Sequence, residues 1–122
     1  MKKIDKGNIA EKLNQFDAHW TPYIIAELNG QAMKIAKVHG SFIWHQHDDA
    51  DELFWVIKGC LKIELLDQVL TLHEGDFTVI PKGTQHRPSA EIETQILMFE
   101  PINTLNTGSE QNEFTVANPS KI

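Results

Sequence analysis

An all-β fold, a sandwich or barrel led by one short helix, is the class this sequence predicts. Two observations carry the reading. From about residue 24 onward, apolar residues alternate with polar ones in short runs, the period of a half-buried strand. Turn residues punctuate those runs, as at Asn29-Gly30, Gly59, Asp67-Gln68 and His73-Glu74-Gly75-Asp76. Many short strands with little helix can bury a core only by packing sheet against sheet or by closing a barrel.

The helix is expected over residues 8–16. Asn8 is placed to cap it, Glu11 follows three residues on, and Ile9, Leu13 and Phe16 share one face. Trp20-Thr21-Pro22-Tyr23 breaks the helix. Strands over 24–28 and 31–37 flank the Asn29-Gly30 turn. The next runs from 53 to 58 and closes at Gly59, after which Leu61, Ile63 and Leu65 alternate with Lys62 and Glu64. Residues 69–72 and 77–80 are two more strands, and Pro81-Lys82-Gly83 is a loop. Residues 94–100 read as the last clear strand. From Asn103 the composition shifts to Asn, Thr, Ser, Gly and Glu, with one apolar patch at Phe114-Thr115-Val116. The expected organisation is a helix and lead-in over 1–22, one β-barrel over 23–102, and a polar tail over 103–122. That tail is read as partly mobile or as an extra strand laid on a partner subunit.

At 122 residues the chain suits one domain with a core that needs no disulfide staples. The single cysteine, Cys60, allows no intramolecular disulfide, fits a reducing cytoplasm, and reads as a small core hydrophobe on a strand. No apolar run follows the charged start, so no signal peptide is read there, and the apolar run at 53–57 is too short to span a bilayer. A net charge of −6 argues against a nucleic-acid partner. The expected setting is soluble and cytoplasmic, with neither membrane nor nucleic acid as partner.

Chemistry concentrates at His45, His47, Glu52 and His86. Read as a strand, residues 40–47 project His45 and His47 to the same face and turn Gln46 away. Glu52 opens the next strand after the polar turn 48–51, and Pro81 with Gly83 sets a turn that aims His86 back toward the pair. Three imidazoles and a carboxylate are a ligand set for a first-row divalent metal. In an apolar barrel they would be costly without a cation to compensate them. His19, His39 and His73 lie beside turns or at strand ends and read as solvated. Asp48, Asp49 and Asp51 lack the spaced oxygens and glycine of a calcium loop.

The spacing around these residues resembles a known family. The run His45-x-His47, four residues, Glu52, six residues, Gly59 resembles the first motif of the cupin superfamily. The run Gly75, five residues, Pro81-x-Gly83, two residues, His86 resembles its second motif. Together they cover the middle of the chain, in the family's order. Four residues rather than five separate Gly40 from His45, and Ala90 stands where the second motif commonly ends in Asn. Neither departure touches a ligand position. The resemblance implies a double-stranded β-helix, or jelly-roll barrel. It also implies a homodimer, and one divalent transition metal per chain held by His45, His47, Glu52 and His86.

Four protein ligands on a six-coordinate ion leave two positions open, which suits iron or manganese; nickel and copper accept nitrogen-rich sets, and zinc remains open as well. Glu52 is the candidate catalytic group, in a dual role as ligand and proton shuttle that the resemblance permits. Phe54, Ile43 and Met98 are the candidate walls of a mainly apolar substrate pocket. The leading expectation is an enzyme acting on a small organic molecule by dioxygenase-like or related oxidoreductase chemistry. A non-catalytic ligand-binding or sensing module is the first alternative. A sugar-phosphate isomerase is the second, and it would draw on Lys34, Lys37, Lys82 or Arg87 for the phosphate. Trp55 and Ile57 face outward by alternation and are candidate dimer-interface residues.

Overall fold

The structure, a computed structural model, describes residues 3–122. Met1 and Lys2, which open the lead-in expected over 1–22, lie outside the described residues. The first element is the helix α1 (Ile9–Leu13), whose Asn8 side chain accepts from the Glu11 N–H at 3.0 Å as a cap should. It is shorter than the sequence pattern indicates. Asn14 closes it, and Phe16 reaches the core from beyond the helix rather than from its face.

Seven antiparallel strands follow: β1 (Tyr23–Leu28), β2 (Gln31–Ser41), β3 (Glu52–Lys58), β4 (Cys60–Leu65), β5 (Val69–His73), β6 (Phe77–Ile80) and β7 (His86–Pro101). They form a continuous ladder in the order β1-β2-β7-β3-β6, with β4 pairing both β5 and β7. Strand β7 links the parts of the barrel. Its C-terminal half lies between β2 and β3, and its first residues pair with β4.

The interior holds Val38, Phe54, Val56, Leu61, Ile63 and Ile96, drawn from four strands. A second apolar cluster forms where Leu13 and Phe16 cover Ile35 and Leu97 on the outer face of β2 and β7. Strand β2 is therefore buried on both faces over Lys34 to Val38.

Two segments differ from the sequence pattern, each for a local reason. Strand β7 begins at His86, eight residues before the last strand expected. Between Val38↔Thr94 and Gly40↔Ala90 the ladder with β2 slips, so Glu91, Ile92 and Glu93 bulge out to solvent and hide the alternation. Pro88 is tolerated because it contributes its carbonyl, which accepts from Phe42 N at 2.9 Å. The second segment is 42–51, which is not a strand. Only His45 pairs there, in an isolated bridge to His86, since Pro88 has no N–H to return the bond from Phe42.

Residues 102–122 fold back on the barrel. Asn106 donates to the Phe114 carbonyl at 2.7 Å and accepts from Val116 N at 2.9 Å. Ile24 exchanges backbone bonds with Ser120 and Ile122 on the outer side of β1. Among the described residues, no helix is long and apolar enough to cross a membrane.

Gly59, between β3 and β4, shows how closely these turns are fitted. Its φ of 104° is one that side chains rarely adopt, and an added Cβ would lie 2.5 Å from Thr94 Oγ1. That hydroxyl is itself bonded to Cys60 N–H at 3.1 Å. Gly59→Ala is expected to destabilise the protein by about 2–4 kcal/mol, from backbone strain plus the displaced threonine. The urea midpoint of the variant against that of the wild type measures it.

Candidate metal centre

The two histidines after β2, the first residue of β3 and the first residue of β7 converge. Backbone bonds between His45 and His86, at 3.0 and 2.9 Å, bring their rings to 4.3 Å between centroids. His47 lies two residues on, its ring 5.2 Å from that of His45. Glu52 Oε1 is 3.2 Å from His47 Nε2 and 3.5 Å from His86 Nε2. One donor atom from each of the four residues falls within 4.8 Å of all the others, and all four residues are buried. Donors sharing one ion at about 2.0–2.2 Å would span up to about 4.4 Å, so small side-chain adjustments suffice.

The donor set fits a cation in its protonation pattern too. His45 Nδ1 faces the Ile43 carbonyl at 2.9 Å, and His86 Nδ1 faces the Thr84 carbonyl at 2.8 Å. A ring nitrogen against a carbonyl carries the proton and donates. That leaves Nε2 as a bare lone pair directed away from the backbone. His47 Nε2, His86 Nε2 and Glu52 Oε1 are buried without any hydrogen-bond partner. Orphaned acceptors gathered in a dry interior are costly unless a positive charge meets them.

The electrostatics agree. Burial pushes the His45 imidazole down to about 4, and the neighbouring His86 adds to the effect, so His45 stays neutral at ordinary pH. Burial works to raise the Glu52 carboxyl. Positive character at the facing His47 and His86 nitrogens, from a proton when no ion is bound, overcomes it and holds that carboxyl well below the usual carboxylate range. Glu52 is the anion of the site.

Behind Glu52 lies a pair that the sequence reading did not assign to the site. Glu100, on β7, is near enough to Glu52 for each carboxyl to bias the protonation of the other, and its Oε2 is buried without a hydrogen-bond partner. Burial and the Glu52 charge push Glu100 well above the carboxylate range, with Lys34 opposing them. Lys34 Nζ on β2 donates to Glu100 Oε1 at 2.9 Å and to the Thr104 carbonyl at 3.1 Å, and both side chains are only 1% exposed. Alternation contains the signal. Lys34 shares a face with Ala36 and Val38, and Glu100 shares one with Ile96 and Met98, all inward-facing residues.

Of the candidate pocket residues, Met98 lines a narrow apolar cavity together with Trp20, Phe42, Pro88, Ile96 and His45. The Phe54 ring stands 6.0 Å from that of His86. Ile43 contributes its carbonyl to His45. A second, polar cavity of about 260 Å³ opens beside His47, between Asp48, Asp49 and residues 101–109. His19, His39 and His73 are exposed, and His19 is 3.0 Å from Glu93.

Residues 32–100 match the cupin domain family. The uncharacterized protein YdbB of Bacillus subtilis (strain 168) is 34% identical over 94 residues, which cover 76% of this chain and 83% of that protein. A cupin-2 domain containing protein from Shewanella frigidimarina has a crystal structure that matches with a TM-score of 0.76 at 46% identity, over 77% of this chain and 92% of that one. Protein NMB1881 from Neisseria meningitidis matches with a TM-score of 0.73 at 26% identity, over 80% and 99% of the two chains.

Two outcomes are expected. In metal-free protein, His45 titrates at about 4 when folded against 6.5 in its ordinary state, so the unfolded chain binds more protons between those values. Its contribution to stability is complete above pH 6.5 and is lost as pH falls towards 4, a change of about 3 kcal/mol. Urea unfolding of chelator-treated protein across that window should show the slope, and His45→Asn should flatten it. Lys34→Met strips Glu100 and the Thr104 carbonyl of their buried donor and is expected to cost about 2–3 kcal/mol. Adding Glu100→Met, which removes the stranded carboxyl, should recover part of that loss in the same assay.

Proposed function

The chain belongs to the cupin domain family, and on that premise we propose that it is a metal-dependent cupin acting on a small organic molecule by dioxygenase-like or related oxidoreductase chemistry. The observation that carries the proposal is the convergence of His47 Nε2, His86 Nε2 and Glu52 Oε1, buried and unpartnered, beside His45. A divalent transition metal at that point supplies a Lewis acid and a redox centre. Four protein ligands favour a six-coordinate iron, manganese, nickel or copper ion over a tetrahedral zinc that they would close.

The chain's own residues have distinct parts. The Ile43 and Thr84 carbonyls hold the His45 and His86 rings in one tautomer. Glu52 carries the negative charge and is the group proposed to pass a proton between substrate and site, with Glu100 within reach behind it. Lys34 holds Glu100 in place. The apolar cavity beside His45 excludes water from one side of the site.

The isomerase alternative has less support. Lys34 is paired with Glu100, Lys37 Nζ donates to the Phe16 carbonyl at 2.7 Å, and Arg87 donates to both carboxylate oxygens of Glu64 at 3.0 Å. Lys82 is exposed, and no charged residue lines the cavity at His45. The proposed setting is a cytoplasmic homodimer. In support, the edge strand β6 exposes Phe77 and Val79 next to the half-exposed Trp55.

Elemental analysis of protein purified without chelator, beside His86→Ala, tests the reading. The wild type is expected to hold about one equivalent of transition metal per chain and the variant almost none. Metal-loaded wild type should then consume O₂ with at least one member of a panel of small phenols and enediols. Absence of metal even after reconstitution would overturn the site. Metal without O₂ uptake would leave the binding-module alternative.

A further inference from the structure

The cavity beside His45 has a wall held under backbone strain. Trp20 sits at φ 57°, in the left-handed region that bulky residues rarely occupy. Asn29, at φ 51°, belongs to an Asn-Gly turn that asks for this conformation. At Trp20 glycine would be the unstrained choice. Instead an indole is kept there, and three contacts fix it. Its N–H donates to the Lys37 carbonyl at 2.9 Å, its Nε1 donates to the His39 carbonyl at 2.9 Å, and its ring stacks on Phe42 at 4.8 Å with 22° between planes. Phe42 continues the wall, with its ring 5.3 Å edge-on from His45 and 5.2 Å from Phe114 of the C-terminal segment. Strain of this kind persists where the surroundings over-determine it, and it gathers at ligand sites.

The polar inventory of the same cavity is short. No lining residue is charged, and the two polar side chains are His45 and Asn106. Asn106 already uses its carbonyl on Val116 N and an amide hydrogen on the Phe114 carbonyl. His45 has committed Nδ1 to Ile43. What remains is one Asn106 amide hydrogen and the Nε2 end of His45, where the ion would sit, in a narrow space otherwise walled by aromatic, proline and aliphatic groups. Away from His45 a phosphate would meet no counter-charge, and a sugar would leave most of its hydroxyls unpaired.

We propose that this cavity takes an uncharged, planar, largely apolar molecule with an oxygen at the His45 end, and that Trp20 is the residue that selects it. The proposal rests on the small-molecule reading above and names the substrate class for it. Trp20 acts through the face and edge of its ring, and its strained backbone fixes the ring before the ligand arrives.

Isothermal titration of the 122-residue chain with 2-naphthol, and separately with glucose 6-phosphate, tests this. The expected result is one 2-naphthol per chain, bound at least about tenfold tighter than glucose 6-phosphate. Trp20→Gly keeps the left-handed backbone without strain and removes only the ring. It is expected to fold, to weaken 2-naphthol at least about tenfold, and to be partly rescued in Trp20→Phe. Equal affinity for the two probes, or undiminished 2-naphthol binding by a folded Trp20→Gly, would overturn the proposal. Metal content measured on the same samples separates it from the reading it rests on. Metal retained without 2-naphthol binding sinks the cavity assignment alone. Binding that depends on Trp20 in protein that holds no metal upholds that assignment and removes the metal.

Discussion

An imidazole nitrogen or carboxylate oxygen that leaves water without meeting a donor or a cation costs free energy, and this barrel gathers several such atoms at one point. Much of the surrounding architecture keeps them there. Two backbone carbonyls, from Ile43 and Thr84, bind the far nitrogens of His45 and His86, so neither ring can turn its lone pair elsewhere. The bridge between His45 and His86 ties the segment after β2 to the start of β7. Gly108 packs so closely on the Gln46 carbonyl that no side chain would fit, which presses the C-terminal segment against the ligand segment. Glu52, Glu100 and Lys34 then form a line of alternating demand. The lysine offsets the second carboxyl, and the second carboxyl faces the first. Removing Lys34 or Glu100 leaves the other buried without its partner.

The surroundings of this point are asymmetric. On the His45 side the walls are aromatic and aliphatic. On the His47 side the opening is polar and rimmed by aspartates. A site between an apolar and a polar cavity can hold an organic ligand on one side while the other stays in contact with water. The two histidines of a single H-x-H element therefore meet different solvents, although only one residue separates them.

Most of the strands were legible because one face of each is buried and the other is not, which writes a period of two into the sequence. The four convergent residues were legible through their spacing, which matches two family motifs, even though the first pair does not lie in a strand as the alternation implied. What was hidden has physical reasons. A lysine inside a strand of mixed polarity reads as solvent-facing, and only the partner 66 residues away makes Lys34 an interior residue. The bulge at Glu91 to Glu93 interrupts alternation and masks the first half of β7. Trp20 carried the signal of a helix breaker, while its place in a cavity wall depends on a backbone angle and on Phe42, which no local pattern contains.

Strand β7 joins the barrel to the order in which the chain is made. It is the ladder partner of β2, β3 and β4, yet it spans His86–Pro101, after all of them. Residues up to Ile80 can form the hairpins β1–β2 and β4–β5 as they emerge. Neither β2 nor β3 can gain its remaining neighbour until the last third of the chain has been synthesised. During that interval the apolar faces of Ala36, Val38 and Val56 have no β7 to cover them, and His45 and His47 have no His86. Closure of the barrel and completion of the four-residue cluster are thus one late event, triggered by the same strand.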